Sequence, residues 1–316
     1  MEIIRGLQNL KPEHKGCVAT IGNFDGVHLG HQAVFRQLTT KAQQLGLPTV
    51  AITFEPQPQE FFSPDSAPSR LTKFREKVNA ILPLQIDRLL CLRFDKRLAK
   101  LTAGEFVHNV LVDGLGISHL VIGDDFRFGK GREGDFEFLV QSGKHYRFEV
   151  ANTHTFDLNG ERVSSTGIRN ALQAGNVELA EQLLGRPYGM VGRVAHGDKR
   201  GRSIGFPTAN IYVHRRSTPV GGVYAVQMRG AERDLGAVLV NGVANVGVRP
   251  TVAGTRTLLE VHLFDFDREI YGAHVCVNFL NKLRDEQRFD SFEALKSQIN
   301  QDAMAARAFF SSATRP

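Results

Sequence analysis

The chain has 316 residues, of which 42% are apolar and 23% charged, and its 39 Lys plus Arg against 33 Asp plus Glu leave a net charge of +6. This predicts an ordinary globular protein of about two domains. No stretch approaches the roughly 18 apolar residues of a membrane span, and Met1 to Asn9 has no apolar leader core, so no signal peptide is expected. The positive excess does not make the chain a nucleic-acid binder, because neither a long basic run nor a nucleic-acid motif accompanies it. Cys17, Cys91 and Cys276 are odd in number, far apart and free of any CxxC pair, which points away from zinc and from a disulfide framework. Each sits in an apolar run and reads as a small core residue. A cytoplasmic location is expected.

The first half alternates strand and helix signals. Val18 to Ile21 is a short apolar run ending at Gly22, and Gly30 to Leu45 reads as a helix with Val34, Leu38 and Leu45 on one face. Thr49 to Phe54 is a second strand, followed by a loop carrying Pro56, Pro58, Pro64 and Pro68. Arg88 to Phe94 gives a third strand. Thr102 with Glu105 forms a capping box before a helix through Leu111, and His119 to Ile122 is a fourth strand, broken by Gly123. Short apolar strands spaced by helices predict a Rossmann-like α/β domain, a parallel sheet covered on both faces. Val163 to Leu184 reads as two short helices split by Gly175-Asn176. Gly185-Arg186-Pro187 then stops the helical pattern and divides the chain into domains 1–185 and 186–316.

Beyond that point the pattern changes. Met190–Ala195, Ala209–Val213, Val223–Met228, Gly236–Val240, Leu258–Phe264 and His274–Phe279 read as strands separated by turn residues, predicting a small antiparallel barrel. A helix closes the chain, with Asp290 as N-cap, Glu293 three residues on, and Phe292, Leu295 and Ile299 on one face.

The sharpest motif of the first half is Gly22-Asn23-Phe24-Asp25-Gly26-Val27-His28-Leu29-Gly30-His31, at the turn from the first strand to the first helix. In an open α/β sheet that crevice is where ligands bind, and a helix N-terminus offers free N–H groups and the positive end of a dipole to a phosphate. Gly30 admits close backbone approach, and His28 and His31 are placed to donate to oxygens that gain charge in a transition state. The plain alternative is a polar turn with two surface histidines. Ser164-Ser165-Thr166-Gly167-Ile168-Arg169 is a second candidate: hydroxyls at a helix start and an arginine one turn later suit phosphate, unless a serine merely caps the helix. No GxxxxGK[ST] loop occurs; Gly129-Lys130-Gly131 lacks the hydroxyl residue.

These segments resemble the HxGH and ISSTxxR motifs of the nucleotidylyltransferase superfamily. Thr53-Phe54-Glu55-Pro56-Gln57-Pro58 resembles the TFEPxP segment of bacterial FAD synthetases, with Gln57 where a His is common. Val121 to Gly129 resembles their VGxDFxFG segment. The resemblance implies that Gly22, Asn23, Phe24, Asp25, Gly30, Gly123, Asp124, Ser164, Ser165 and Thr166 bind ATP and that His28, His31 and Arg169 act in catalysis. It also implies that Asp125, Phe62, Phe126 and Phe128 meet flavin. Asp124 and Asp125 read as polar contacts in preference to a metal pair. Each phenylalanine either stacks on isoalloxazine or packs in the core.

In the second half, Gly197-Asp198-Lys199-Arg200-Gly201-Arg202 precedes Gly205-Phe206-Pro207-Thr208-Ala209-Asn210. The glycines make a loop whose backbone can wrap phosphates, and Thr208 and Asn210 share a strand face by alternation, their oxygens suiting Mg²⁺. The alternative is a basic hairpin. GFPTAN resembles the riboflavin kinase family, as do Asn245-Val246-Gly247-Val248-Arg249-Pro250-Thr251, read as a loop, and Leu259-Glu260-Val261-His262 with Tyr271-Gly272. The resemblance implies Glu260 as catalytic base, Thr208 and Asn210 as metal ligands, Gly197, Lys199, Gly201 and Arg202 at ATP, and Asn245, Arg249 and Arg284 at flavin. Arg284 alternatively makes an ion pair. Together the two resemblances imply a bifunctional riboflavin kinase and FAD synthetase that uses ATP with Mg²⁺, takes riboflavin and FMN as substrates, and needs no nucleic acid or membrane.

Overall fold

The computed structural model describes residues 1–123, 125–153, 156–158, 160–195, 206–215, 217–230, 238–251 and 254–312; for 161, 248–251 and 254–256 the description is of the backbone. It divides into two compact units, one comprising Met1–Pro68 and Thr72–Ser164, the other Ser69–Leu71 and Ser165–Pro316.

The first unit is built on a six-stranded sheet. Its strands are β1 (Glu2–Arg5), β2 (Cys17–Ile21), β3 (Thr49–Glu55), β4 (Arg88–Arg93), β5 (Ile117–Gly123) and β6 (Glu149–Thr153). They lie in the order β1-β4-β3-β2-β5-β6, all parallel. The inner strands β2 and β3 are buried almost throughout, which is why they read as continuous apolar runs. On one face pack α1 (Leu29–Leu45) and α3 (Phe74–Ile81), through Phe35, Leu38 and Ile81 against Val18, Ala51 and Leu89; the short α2 (Pro58–Phe62) lies between them in sequence. The other face carries α4 (Ala103–Phe106) and α5 (Phe136–Tyr146), with Phe106, Leu111 and Leu139 against Ile21, Ile52 and Leu120. The capping box at Thr102 forms as the sequence predicts: its Oγ1 accepts from Glu105 N–H at 3.2 Å, and Glu105 Oε2 accepts from Thr102 N–H at 2.8 Å. The helix it starts widens to π-helical geometry over Val107–Val112. A hairpin of β7 (Asp157–Leu158) and β8 (Glu161–Arg162) ends the unit.

In the second unit α6 (Ser165–Gln173) and α7 (Val177–Leu184) match the two predicted helices, Asn176 capping α7 by accepting from Leu179 N–H at 2.9 Å. Next come β9 (Tyr188–Ala195), β10 (Ala209–Tyr212), β11 (Gly222–Gly230), β12 (Val240–Thr251), β13 (Gly254–Leu263) and β14 (His274–Arg284), closed into an antiparallel barrel in the order β10-β13-β12-β11-β14-β9. Two expectations change here. Of the strand placed at Gly236–Val240, 236 and 237 lie outside the described residues, Val238 and Leu239 are not in a strand, and Val240 opens β12. The 245–251 segment, read as a loop, belongs to that strand, because β12 and β13 pair continuously from Gly242↔Leu263 to Thr251↔Gly254.

The terminal helix α8 (Phe292–Ser312) lays Ala303 and Ala306 on Val223, Ala225 and Val243. Its cap is Ser291, whose Oγ accepts from Ala294 N–H at 3.1 Å, in place of Asp290; Leu295 and Ile299 are half-buried, whereas Phe292 is 56% exposed. Since α8 covers one face of β11 and β12, the alternate residues Tyr224, Val226, Ala244 and Val246 fill the barrel interior. Two ion pairs tie α8 to the barrel: an exposed one in which Arg307 donates to Asp265 just after β13, and one in which Arg284 donates from Nε and Nη2 to Oδ1 and Oδ2 of Asp302 at 2.9 and 2.7 Å. The Arg284 and Asp302 side chains are largely buried. Removing the carboxylate leaves a buried guanidinium without that partner, so Asp302→Ala is expected to destabilise the barrel unit by about 3–5 kcal/mol. Denaturant titration followed through the barrel signal checks this; a loss under about 1 kcal/mol would show the pair to be incidental.

Candidate active sites

In the first unit the chain leaves β2 at Ile21 and enters α1 at Leu29, at the carboxyl end of the parallel strands. The intervening loop is pinned from below. Asp25, 2% exposed, accepts from Thr72 N–H at 2.9 Å and from Thr72 Oγ1 at 3.2 Å, and Thr72 Oγ1 accepts from Gly26 N–H at 2.9 Å. Phe24, also 2% exposed, packs edge-on against His31 and tilted on Phe35. Asp25 and Phe24 thus brace the loop, while Asn23 is exposed.

His28 is the N-cap of α1. Its Nδ1 accepts the backbone N–H of His31 at 3.3 Å, so the neutral ring carries its proton on Nε2. The two imidazoles stack with centroids 3.6 Å apart. Gly30 is required by this geometry, since a Cβ there would lie 3.1 Å from the His28 ring and 3.4 Å from the Val163 carbonyl. Burial, the adjacent His28 and the Lys77 ammonium together hold the His31 imidazole well below its ordinary pKa, and its Nδ1 is buried without a hydrogen-bond partner.

Lys77 on α3 belongs to none of the sequence motifs. It is fully buried and donates to Thr53 Oγ1 at 3.2 Å. Its one signal in the sequence is a lysine on the apolar stripe Phe74, Val78, Ile81. Thr72 carries no signal at all. Gln57, 6% exposed, precedes α2 and donates its N–H to Glu60 Oε2 at 2.9 Å, leaving its own Nε2 buried and unpartnered.

Of the other residues expected at this site, Gly123 ends β5, Asp124 lies outside the described residues, and Asp125 is exposed and accepts from Arg162 Nη2 at 2.6 Å. The three phenylalanines separate by burial. Phe62 is 64% exposed and Phe126 is half-buried, stacked on Phe128 at 5.5 Å, whereas Phe128, 7% exposed, belongs to the core with Phe106 and Phe138. Ser164 closes the first unit. Ser165, Thr166 and Arg169 lie on α6 of the second unit, where Arg169 Nε donates to the Ser69 carbonyl at 2.7 Å.

The barrel brings together residues that the sequence keeps far apart. Asn210 on β10 lies directly opposite Glu260 on β13, Glu260 opposite Asn245 on β12, Asn245 opposite Val223 on β11, and Val223 opposite Arg284 on β14. Directly opposed residues share a face with Cβ atoms about 4.5–5.5 Å apart. An Asn–Glu–Asn row therefore runs across the outer face of the barrel, the face on which α8 docks through Val223. Asn210, Glu260 and Asn245 are all half-buried. Thr208 is exposed just ahead of β10, and its segment is held to β13 where His262 Nδ1 donates to the Pro207 carbonyl at 2.9 Å, with Phe206 edge-on to the same ring. Arg249 pairs through its backbone with Arg256. Gly197, Lys199, Gly201 and Arg202 lie outside the described residues.

No group of three or more His, Cys, Asp or Glu side chains suited to hold a metal occurs among the described residues. The hydroxyl of Thr208, the amide oxygen of Asn210 and the nearby carboxylate are all hard oxygen donors. Such a sparse set fits a Mg²⁺ that keeps several waters and is shared with phosphate oxygens. Cys17 is fully buried, and burial pushes its thiol up to about 12, which leaves it inert.

Fold and site chemistry are those of a nucleotide-dependent transferase with two catalytic units. Residues 10–167 match the FAD synthetase family and residues 184–310 the riboflavin kinase family. The bifunctional riboflavin kinase/FMN adenylyltransferase of Pseudomonas fluorescens is 53% identical, over 98% of this chain and 97% of that protein. That of Escherichia coli K12 is 50% identical, over 98% of each. A crystal structure described as a macrolide-efflux protein from Streptococcus pneumoniae superposes with a TM-score of 0.81 at 31% identity, covering 97% of this chain and 99% of that one. Among the described residues no helix is long and apolar enough to cross a membrane. The chain belongs to the bifunctional riboflavin kinase/FMN adenylyltransferase family. It converts riboflavin to FMN and FMN to FAD.

The depressed His31 pKa makes the first unit sensitive to acid. Above the ordinary value of 6.5 the imidazole is neutral in folded and unfolded chains alike. Below it the unfolded chain binds a proton that the native site refuses, so stability falls as pH drops from 6.5 toward the native pKa. His119, lowered first by burial, acts in the same direction. Thermal melts between about pH 7 and 5 are expected to show a declining midpoint for the wild type and a shallower decline for His31→Gln. Equal slopes would exclude His31 as a source.

Proposed function

We propose that adenylyl transfer and phosphorylation divide at Gly185. Residues 1–185 would carry the FMN adenylyltransferase site and residues 186–316 the riboflavin kinase site, in an enzyme of the cytoplasm. The family matches on either side of residues 168–183 support this division.

At the first site a phosphate oxygen of FMN attacks the α-phosphorus of ATP, the bond to the bridging oxygen breaks, and pyrophosphate leaves. The stacked pair at the start of α1 supports a donor role for His28 and His31 toward the oxygens that gain charge. Backbone groups of Gly22, Asn23 and Gly30 face the nucleotide, with Phe24 and Asp25 fixing their positions. Gly123 and Asp124 would bind ATP. Ser164, Ser165, Thr166 and Arg169 take the β and γ phosphates, and Asp125, Phe62 and Phe126 the flavin, with Phe128 supporting Phe126 from beneath.

At the second site Glu260 accepts the proton of the riboflavin 5′-hydroxyl as that oxygen bonds to the γ-phosphorus and ADP leaves. The observation that carries this reading is the Asn210–Glu260–Asn245 row, a carboxylate flanked on both sides by amides, on strands that the Phe206–Thr208 segment leads into. Thr208 and Asn210 would hold Mg²⁺, which when bound neutralises phosphate charge. Asn245 and Arg249 would bind the flavin and Gly197, Lys199, Gly201 and Arg202 the ATP phosphates, while Arg284, read as a flavin contact or an ion pair, makes the ion pair with Asp302.

Either His28→Ala or His31→Ala is expected to lower FAD formation by about 10²–10³-fold and to leave FMN formation from riboflavin nearly intact. Chromatography of both flavins from one reaction checks this, and undiminished FAD synthesis in both variants rules the donor role out.

Glu260→Gln keeps size and hydrogen bonding but deletes the base. It is expected to abolish FMN formation at every Mg²⁺ concentration while sparing adenylylation of supplied FMN. Thr208→Val and Asn210→Asp alter metal binding, so their kinase defects should vary across a Mg²⁺ titration. Rescue of Glu260→Gln by added Mg²⁺ would assign that residue to the metal instead.

A further inference from the structure

We propose that Lys77 is a catalytic residue of adenylyl transfer, its ammonium set beneath the Gly22–His31 loop to meet the phosphates of the bound nucleotide. This rests on the assignment of that loop to adenylyl transfer.

Lys77 is fully buried, among the largest side chains of the chain to be so. It occupies the inward stripe of α3 with Phe74, Val78 and Ile81, where an apolar residue would pack at no electrostatic cost. A lysine there keeps its charge only where the surroundings or a ligand compensate it. Its Nζ donates to Thr53 Oγ1 at 3.2 Å, and that hydroxyl lies 3.4 Å from the Asn23 carbonyl. The ammonium is thus one residue removed from the loop that ends in His28.

Three further observations make this corner a ligand site. Thr53 lies near the carboxyl end of β3, in a parallel sheet where ligands gather. The positive end of α1 opens beside it. Two polar atoms are buried there with no hydrogen-bond partner: Nδ1 of His31, on whose ring the Lys77 charge acts, and Oγ1 of Thr20, on the same sheet face as Thr53 by strand alternation. The Lys77 ammonium, the start of α1 and buried polar atoms without partners together suit phosphate oxygens. During transfer, charge grows on the oxygens of the α-phosphate and of the departing pyrophosphate. A fixed ammonium opposes that charge without reorganising. Its repulsion also disfavours imidazolium at His31, which keeps that ring a neutral donor.

The test uses the full chain, with FMN formation from riboflavin as an internal control. Lys77→Met is expected to lower kcat for FAD formation about 10²-fold or more, with FMN formation unchanged within about twofold. Lys77→Arg, which keeps the charge, should recover at least about a tenth of wild-type turnover. His31→Ala is assayed beside them. If His31→Ala abolishes FAD formation but Lys77→Met stays within about threefold of wild type, Lys77 has no catalytic role. Lys77 is equally excluded if Lys77→Arg is as inactive as Lys77→Met, because then the packing of the side chain matters and its charge does not. Undiminished FAD formation in His31→Ala would instead remove the assignment of the loop on which the inference stands.

Discussion

The Asp25 carboxylate is out of contact with water, and the geometry of the first site depends on what it holds. It takes two hydrogen bonds from Thr72, whose hydroxyl in turn accepts the Gly26 N–H. A buried carboxylate without donors would be costly; bound this way it locks the loop between β2 and α1 to a segment 46 residues further along the chain. The consequences run outward from there. With the loop fixed, Phe24 enters the core and meets the His31 ring, His28 takes the cap of α1, and the two imidazoles stack. None of these groups sits on a flexible tip. Groups held in this way are oriented before any ligand arrives, which is the condition under which hydrogen bonds to a developing charge accelerate a reaction.

The barrel reaches the same end by register. Asn210, Glu260 and Asn245 come from three strands, and no local signal connects them. They meet because antiparallel pairing fixes which residue lies opposite which, and a slip of one residue would turn each of them into the interior. The interior itself prevents the slip, since Tyr224, Val226, Ala244 and Val246 would then be driven outward. Core packing and site geometry are therefore one constraint. The Arg284–Asp302 pair extends it to α8, the helix that covers the neighbouring part of the same face.

What the sequence reveals follows from burial. Strands β2, β3, β4 and β5 are inner strands with apolar runs, and all four are legible. The two edge strands are not. Glu2–Arg5 and Glu149–Thr153 each pair on one side only and carry charged or polar residues, so neither shows a run or a clean alternation. The long β12 escapes for a related reason: Gly242, Gly247 and Pro250 look like turn residues, and the pairing with β13 overrides them. Among the candidate site residues, those in compact motifs such as His28, His31 and Asn210 can be picked out from sequence. Thr72 and Asp302 cannot, because each acts on a partner far away in the chain. The phenylalanines divide only when burial is known, Phe128 joining the core and Phe62 the surface.

Lys77 shows most clearly why pattern reading stops short. A lysine at an apolar position of an amphipathic helix looks like a minor flaw in the stripe, since the side chain can reach past its neighbours to water. Here it does not reach water, and Thr53 receives its ammonium instead. The difference between those outcomes depends on what lies above the helix, which is set by the sheet and by the loop that Asp25 fixes. Asp25 and Lys77 are both buried charges flanking one loop, yet they differ in consequence. The carboxylate is engaged by donors of the protein's own backbone and side chain, which holds the loop rigid. The ammonium donates to Thr53 and acts on the His31 ring, whose Nδ1 is buried without a partner, at the start of α1.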